Sequence, residues 1–130
     1  MFWKKLFSFR KRLMTLADGE VKDFSYQSGE RQIADLYKEI RRDHRARYEL
    51  ADRMLPSNCS VADVFCGNGY GTDLLAKNRR ALGIDGSIDA ISFARKKYSE
   101  NGATFDCQCF PNLSLVNLDS IISFESIEHV

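Results

Sequence analysis

Residues 61–75 read VADVFCGNGYGTDLL and hold the densest chemical signal in the chain. Glycines stand at alternate positions, Gly67, Gly69 and Gly71, directly after an apolar, β-prone run. Glycine belongs where the backbone turns through positive φ, or where another group must come closer than a Cβ permits. Between a strand and a helix, such a loop offers backbone N–H groups to a ligand. Gly67 suits a tight turn, Gly69 the close approach of a ligand, and Gly71 close helix packing or a positive φ. The spacing narrows the ligand. A dinucleotide fingerprint is G-x-G-x-x-G, and a phosphate loop ends in Gly-Lys-Ser/Thr. Here the third glycine comes one residue early, and Thr72 follows Gly71 with no lysine between them. Pyrophosphate and triphosphate are both disfavoured.

A carboxylate supplies the second element. Asp85 closes the short apolar segment ALGID, 14 residues beyond Gly71. At the end of the second strand of a parallel sheet, a carboxylate accepts hydrogen bonds from both hydroxyls of a ribose. In the triplet Asp85-Gly86-Ser87 it can equally serve a turn. Farther on, ESIEH gathers Glu125, Glu128 and His129, with the two glutamates on one face if a helix begins there. A metal would require more ligands than these, so no metal is assigned. Four cysteines (Cys59, Cys66, Cys107 and Cys109) form no C-x-x-C pair, and there are only two histidines. Zinc is therefore disfavoured, and all four thiols are expected to be reduced, buried small residues.

The elements that would position these groups follow from periodicity. Ile33, Leu36, Tyr37, Ile40, His44, Tyr48, Ala51 and Leu55 predict one face of a long helix over 31–55. Seven basic and six acidic residues from Glu30 to Arg53 suit its solvated side. SVADVF predicts the first strand, TDLLAKN the start of a helix, and ALGID the second strand. In SIDAISFARKKYSENG, Ser87 can cap a helix whose buried side holds Ile88, Ile91, Ala94 or Arg95, and Tyr98. Gly102 would end it. ATFDCQC and LDSIISFE read as the third and fourth strands. Strands alternating with helices imply an α/β fold, a three-layer sandwich around a parallel sheet.

These blocks carry a resemblance. VADVFCGNGYGTDLLA, ALGIDGSIDAISFARKKY and LDSIISFESIEHV, in that order, resemble the class I S-adenosylmethionine-dependent methyltransferases. SGER and DHRARYELA upstream resemble the leader of a bacterial subgroup often found with glycan-modifying genes. The resemblance covers about residues 28–130. It implies a Rossmann-like sandwich with a partial sheet of order 3-2-1-4, an N-terminal helical extension, and S-adenosylmethionine as cofactor. Asp63 and the backbone of Cys66, Gly67 and Gly69 would frame the methionine part of that cofactor, and Asp85 would hold the ribose. Cys109 and Phe110 would border the adenine, although many relatives have an acidic residue where this chain has Cys109. Asn68, Gly71, Gly86 and Glu125 complete the implied cofactor-binding set, with Glu125 near the methyl end. His44, Arg47, Glu30 and Arg31 are candidates for closing the pocket.

The implied activity is methyl transfer to a small molecule or a glycan precursor. A non-catalytic domain binding a cofactor or a partner is the alternative, and an NAD-dependent oxidoreductase is disfavoured by the glycine spacing. A full fold of the family has seven strands, so a chain ending at Val130 is expected to be truncated and impaired in transfer. Its fourth strand would then be an apolar edge open to pairing with another chain. Residues 1–29 form a basic leader and linker, and 30–130 a partial methyltransferase domain. Within residues 1–16 lie Lys4, Lys5, Arg10, Lys11 and Arg12, no acid, and apolar residues at helical spacing. That pattern suits peripheral contact with an anionic membrane. With no secretory signal, the chain is expected in the cytoplasm. A net charge of +1, and no basic groove with interleaved aromatics, exclude nucleic acid as the expected acceptor.

Overall fold

The computed structural model describes residues 36–124 and 126. The expected leader, together with Glu30, Arg31, Glu125, Glu128 and His129, lies outside the described residues. A 3₁₀ turn at Tyr37–Glu39 precedes helix α1 (Arg42–Met54). Strand β1 (Ser60–Val64) leads through the glycine loop to α2 (Tyr70–Ala76), then β2 (Arg80–Asp85) and α3 (Ile88–Tyr98). Strands β3 (Thr104–Cys107) and β4 (Ser120–Ile122) follow. All three strand pairings are parallel, and the order is β3-β2-β1-β4. Helices flank the sheet, so the predicted α/β architecture and strand order are those observed.

The core forms where apolar strand residues meet the small faces of the helices. Val61, Ala62 and Ile84 from the sheet are buried with Leu75 of α2 and with Ala90, Ile91 and Ala94 of α3. Full burial of each branched side chain contributes about 1.5–3 kcal/mol. β1 is buried along its whole length, as expected of an inner strand of a parallel sheet. Helix α3 begins as its sequence predicts, with the Ser87 hydroxyl accepting from the Ala90 N–H at 3.3 Å. Gly102, at φ 98°, ends the following 3₁₀ turn. One helical position departs from the expected stripe: Ile88, in the first turn, is exposed.

The long helix expected over 31–55 is shorter. Ile40 and Arg41 are extended, with ψ of 140° and 139°, and separate the 3₁₀ turn from α1. The break lets Ile40 enter the core, where it is 3% exposed, while Arg41 turns outward and pairs with Asp43 at 2.9 Å. The cysteines also divide. Cys59 and Cys66 are buried as expected, but Cys107 is half-buried and Cys109 exposed, because both lie where the chain leaves β3 at the rim of the sheet.

Candidate functional site

The carboxyl ends of β1 and β2 lie side by side, with Val64 opposite Ile84. The chain turns immediately: Phe65 (φ 64°), Gly67 (φ 59°) and Gly69 (φ 90°) all take left-handed backbone. The turn is pinned to β2, since the Cys66 N–H donates to the Ile84 carbonyl at 2.9 Å. Asp85 then ties three segments together. Its Oδ2 accepts from the Gly67 N–H at 3.0 Å, and its Oδ1 accepts from the Ser87 N–H at 2.9 Å. The ribose candidate thus also performs the turn role open to it in the sequence. A carboxylate offers about four acceptor positions, so these bonds are compatible with further donation from a vicinal diol.

The glycines do different work. A Cβ at Gly71 would fall 2.1 Å from the Tyr48 ring, so Gly71 lets α1 and α2 pack closely. A Cβ at Gly69 would meet the Phe105 ring and the Ala94 methyl within 2.9 Å, so the room it leaves is taken up by the protein itself. Gly67 and Gly86 are half-buried beside Asp85, and Asn68 is buried in the loop. Phe110 faces Phe65 with ring centroids 6.2 Å apart. Partial desolvation pushes the Cys109 thiol up although the residue is exposed overall, and the negative charge of Asp85 pushes it further.

Beneath the loop lies a second cluster. Asp63, on β1, is wholly buried. It accepts from the Tyr48 hydroxyl at 3.1 Å and from the Thr72 hydroxyl at 2.7 Å, which joins α1, β1 and α2. Burial pushes its carboxyl up to about 7; the Thr72 and Tyr48 hydroxyls pull it down, and the charge of Asp85 adds to the rise. Tyr48, buried beside this carboxylate, is held well above the usual phenol range. His44 Nδ1 lies 3.2 Å from the Tyr70 hydroxyl at the start of α2, and Arg47 lies 4.0 Å from Asp43 along α1. The hydroxyl partners of Asp63 were invisible in the sequence: Tyr48 read only as part of an apolar stripe, and Thr72 only as a residue in place of lysine. Arg79 was missed too. Its buried guanidinium binds the Asp52 carboxylate at 2.6 Å and the carbonyls of Asp52, Leu55 and Pro56, closing the end of α1.

A family described as "Methyltransferase domain" matches residues 55–130, which span β1 to β4, the glycine loop and Asp85. The chain belongs to the class I S-adenosylmethionine-dependent methyltransferases. A Mycobacterium tuberculosis protein named "probable S-adenosylmethionine-dependent methyltransferase" is 29% identical over 107 residues, 79% of this chain and 38% of the relative. This chain therefore spans well under half the length of that curated relative. Among solved structures, magnesium protoporphyrin IX methyltransferase from Synechocystis, with bound S-adenosylmethionine, is 28% identical with a TM-score of 0.53. The match covers 68% of this chain and 44% of that one. A TehB-like methyltransferase from Corynebacterium glutamicum shares the fold at 19% identity and a TM-score of 0.55, over 93% of this chain and 55% of its own.

The residues of this methyltransferase chain fit the family's cofactor. A nucleoside needs a diol acceptor beside a close-packed turn, and Asp85 stands bonded to Gly67 at the carboxyl ends of neighbouring parallel strands, where ligands of such sheets bind. S-adenosylmethionine brings an activated sulfonium methyl, so the protein has mainly to orient and shield it. Asp85 would hold the ribose hydroxyls, the loop from Cys66 to Gly69 would support the amino-acid part, and Phe110 would border the base. Among the described residues no group of three metal-ligating side chains converges. No helix among them is long and apolar enough to cross a membrane.

Proposed function

We propose that this chain binds S-adenosylmethionine in the crevice over β1 and β2 and serves methyl transfer to a small molecule or glycan precursor. One observation supports the reading: Asp85 is fastened by its two oxygens to the glycine loop and to the start of α3, which fixes a carboxylate at the carboxyl end of β2. The chain's own work is then positional. Asp85 orients the nucleoside, the loop N–H groups and carbonyls surround the amino-acid moiety, and the Asp63 cluster keeps α1 and α2 seated beneath them. A base is required only for an acceptor that must lose a proton.

Calorimetric titration with S-adenosylmethionine, S-adenosylhomocysteine and NAD tests the reading. Binding of the first two but not NAD supports it, and preferential binding of NAD refutes it. Transfer of labelled methyl to nucleotide-sugar and small-molecule acceptors then tests the acceptor class. The reading also includes two surfaces. The β4 edge, where Ile121 is 59% exposed, would pair with another chain, and light scattering reads that directly. The five basic residues within 1–16 would contact anionic membranes, and co-sedimentation with vesicles at low salt is the assay.

A further inference from the structure

Among the described residues, three that are not glycine adopt positive φ: Asn58, Asn117 and Phe65. Asparagine tolerates this region, whereas a bulky aromatic does so only at a cost that its surroundings must offset. Glycine at 65 would relieve the backbone, so the side chain is the feature to explain. Phe65 directly follows β1, and the Phe110 ring it meets, at 6.2 Å, lies three residues beyond β3. In the sheet, β2 runs between those two strands. Neighbouring strands are about 4.8 Å apart, so this ring contact crosses over the end of β2. Asp85 ends β2, and it is only 6% exposed.

A ribose has to come within hydrogen-bond distance of that carboxylate. The two rings are tilted by 42° and sit too close to admit a base between them, since a flat ring sandwiched by two others needs roughly 7 Å. We propose that Phe65 is an aromatic gate over Asp85: its ring, resting on Phe110, covers the ribose-binding carboxylate and swings off Phe110 when the nucleoside of the cofactor enters. This rests on the cofactor reading above. The left-handed backbone at 65 aims the ring across β2, and the gate sets cofactor affinity without touching the transferred methyl.

The experiment compares the wild-type chain with Phe65→Gly and Phe65→Leu by calorimetry with S-adenosylmethionine, alongside thermal melts. Phe65→Gly removes both ring and strain and should melt no lower than wild type; Phe65→Leu keeps bulk but loses the ring contact. Both should bind roughly 2- to 12-fold more tightly, the worth of one aromatic pair. Adding Asp85→Asn to Phe65→Gly should erase that gain. Binding by Phe65→Gly alone, with none by wild type, also supports the gate. Unchanged or weaker binding by both folded variants overturns it while leaving the cofactor reading standing. No binding by any folded variant overturns both.

Discussion

Asp63 makes the most discriminating prediction, because it is a buried carboxyl served by two hydroxyls. Its pKa rises from the ordinary 3.8 to about 7 in the folded chain, with burial as the main cause. The folded state therefore holds the Asp63 proton more tightly than the unfolded state does. The stability this contributes is fully present below about pH 4, declines as pH rises, and is gone above about pH 7. The whole shift converts to roughly 4 kcal/mol, of which roughly 3 kcal/mol falls between pH 5 and pH 8. Asp63→Asn mimics the neutral acid: its amide oxygen can accept from one of Tyr48 and Thr72, and its NH₂ can donate to the other hydroxyl oxygen. Urea unfolding followed by circular dichroism at pH 5 and pH 8 tests this. Wild type should lose stability over that range, and Asp63→Asn should lose less by about 3 kcal/mol. At pH 8 the variant should be the more stable chain. Parallel pH profiles for the two proteins would refute the reasoning, for they would mean that Asp63 is ionised at pH 5 despite its burial.

Three further predictions concern the surrounding scaffold. Gly71→Ala should destabilise by about 1–3 kcal/mol in urea melts, because its Cβ would press on the Tyr48 ring; helix propensity alone predicts a gain of about 1 kcal/mol, so the sign decides between them. Arg79→Ala should cost roughly 3 kcal/mol by the same measurement, since it strips partners from the Asp52 carboxylate and the carbonyls of Asp52, Leu55 and Pro56. Arg79→Lys should recover less than half, as one ammonium cannot serve all four acceptors. Asp85→Asn should weaken S-adenosylmethionine binding roughly 10-fold or more in calorimetry, by loss of charge-assisted acceptance. Its melting point should also fall, because one of the Gly67 and Ser87 N–H groups then faces an NH₂ group.

The sequence by itself determined the class of fold and singled out the glycine loop and Asp85 as the candidate site. Apolar strand segments alternate with one clear helix, and that order leaves a parallel sheet as the solution that buries them. The glycine spacing and Asp85 were legible because they lie close along the chain and obey local backbone chemistry. The break at Ile40 and Arg41 was not, because local periodicity runs through it and only the depth of the core under Ile40 favours interrupting the helix. The role of Gly69 was likewise decided in three dimensions: it looked like a concession to a ligand, and the room it leaves is occupied by Phe105 and Ala94, whereas the close helix packing expected at Gly71 is met by the Tyr48 ring. Phe65 and Phe110 stand 45 positions apart, Tyr48 and Asp63 15 apart, and neither pairing has a sequence period to betray it. Short-range spacing encodes which backbone shapes are allowed. Which side chains then meet depends on how the strands are ordered and how closely the helices settle on them, and that is a property of the packed whole.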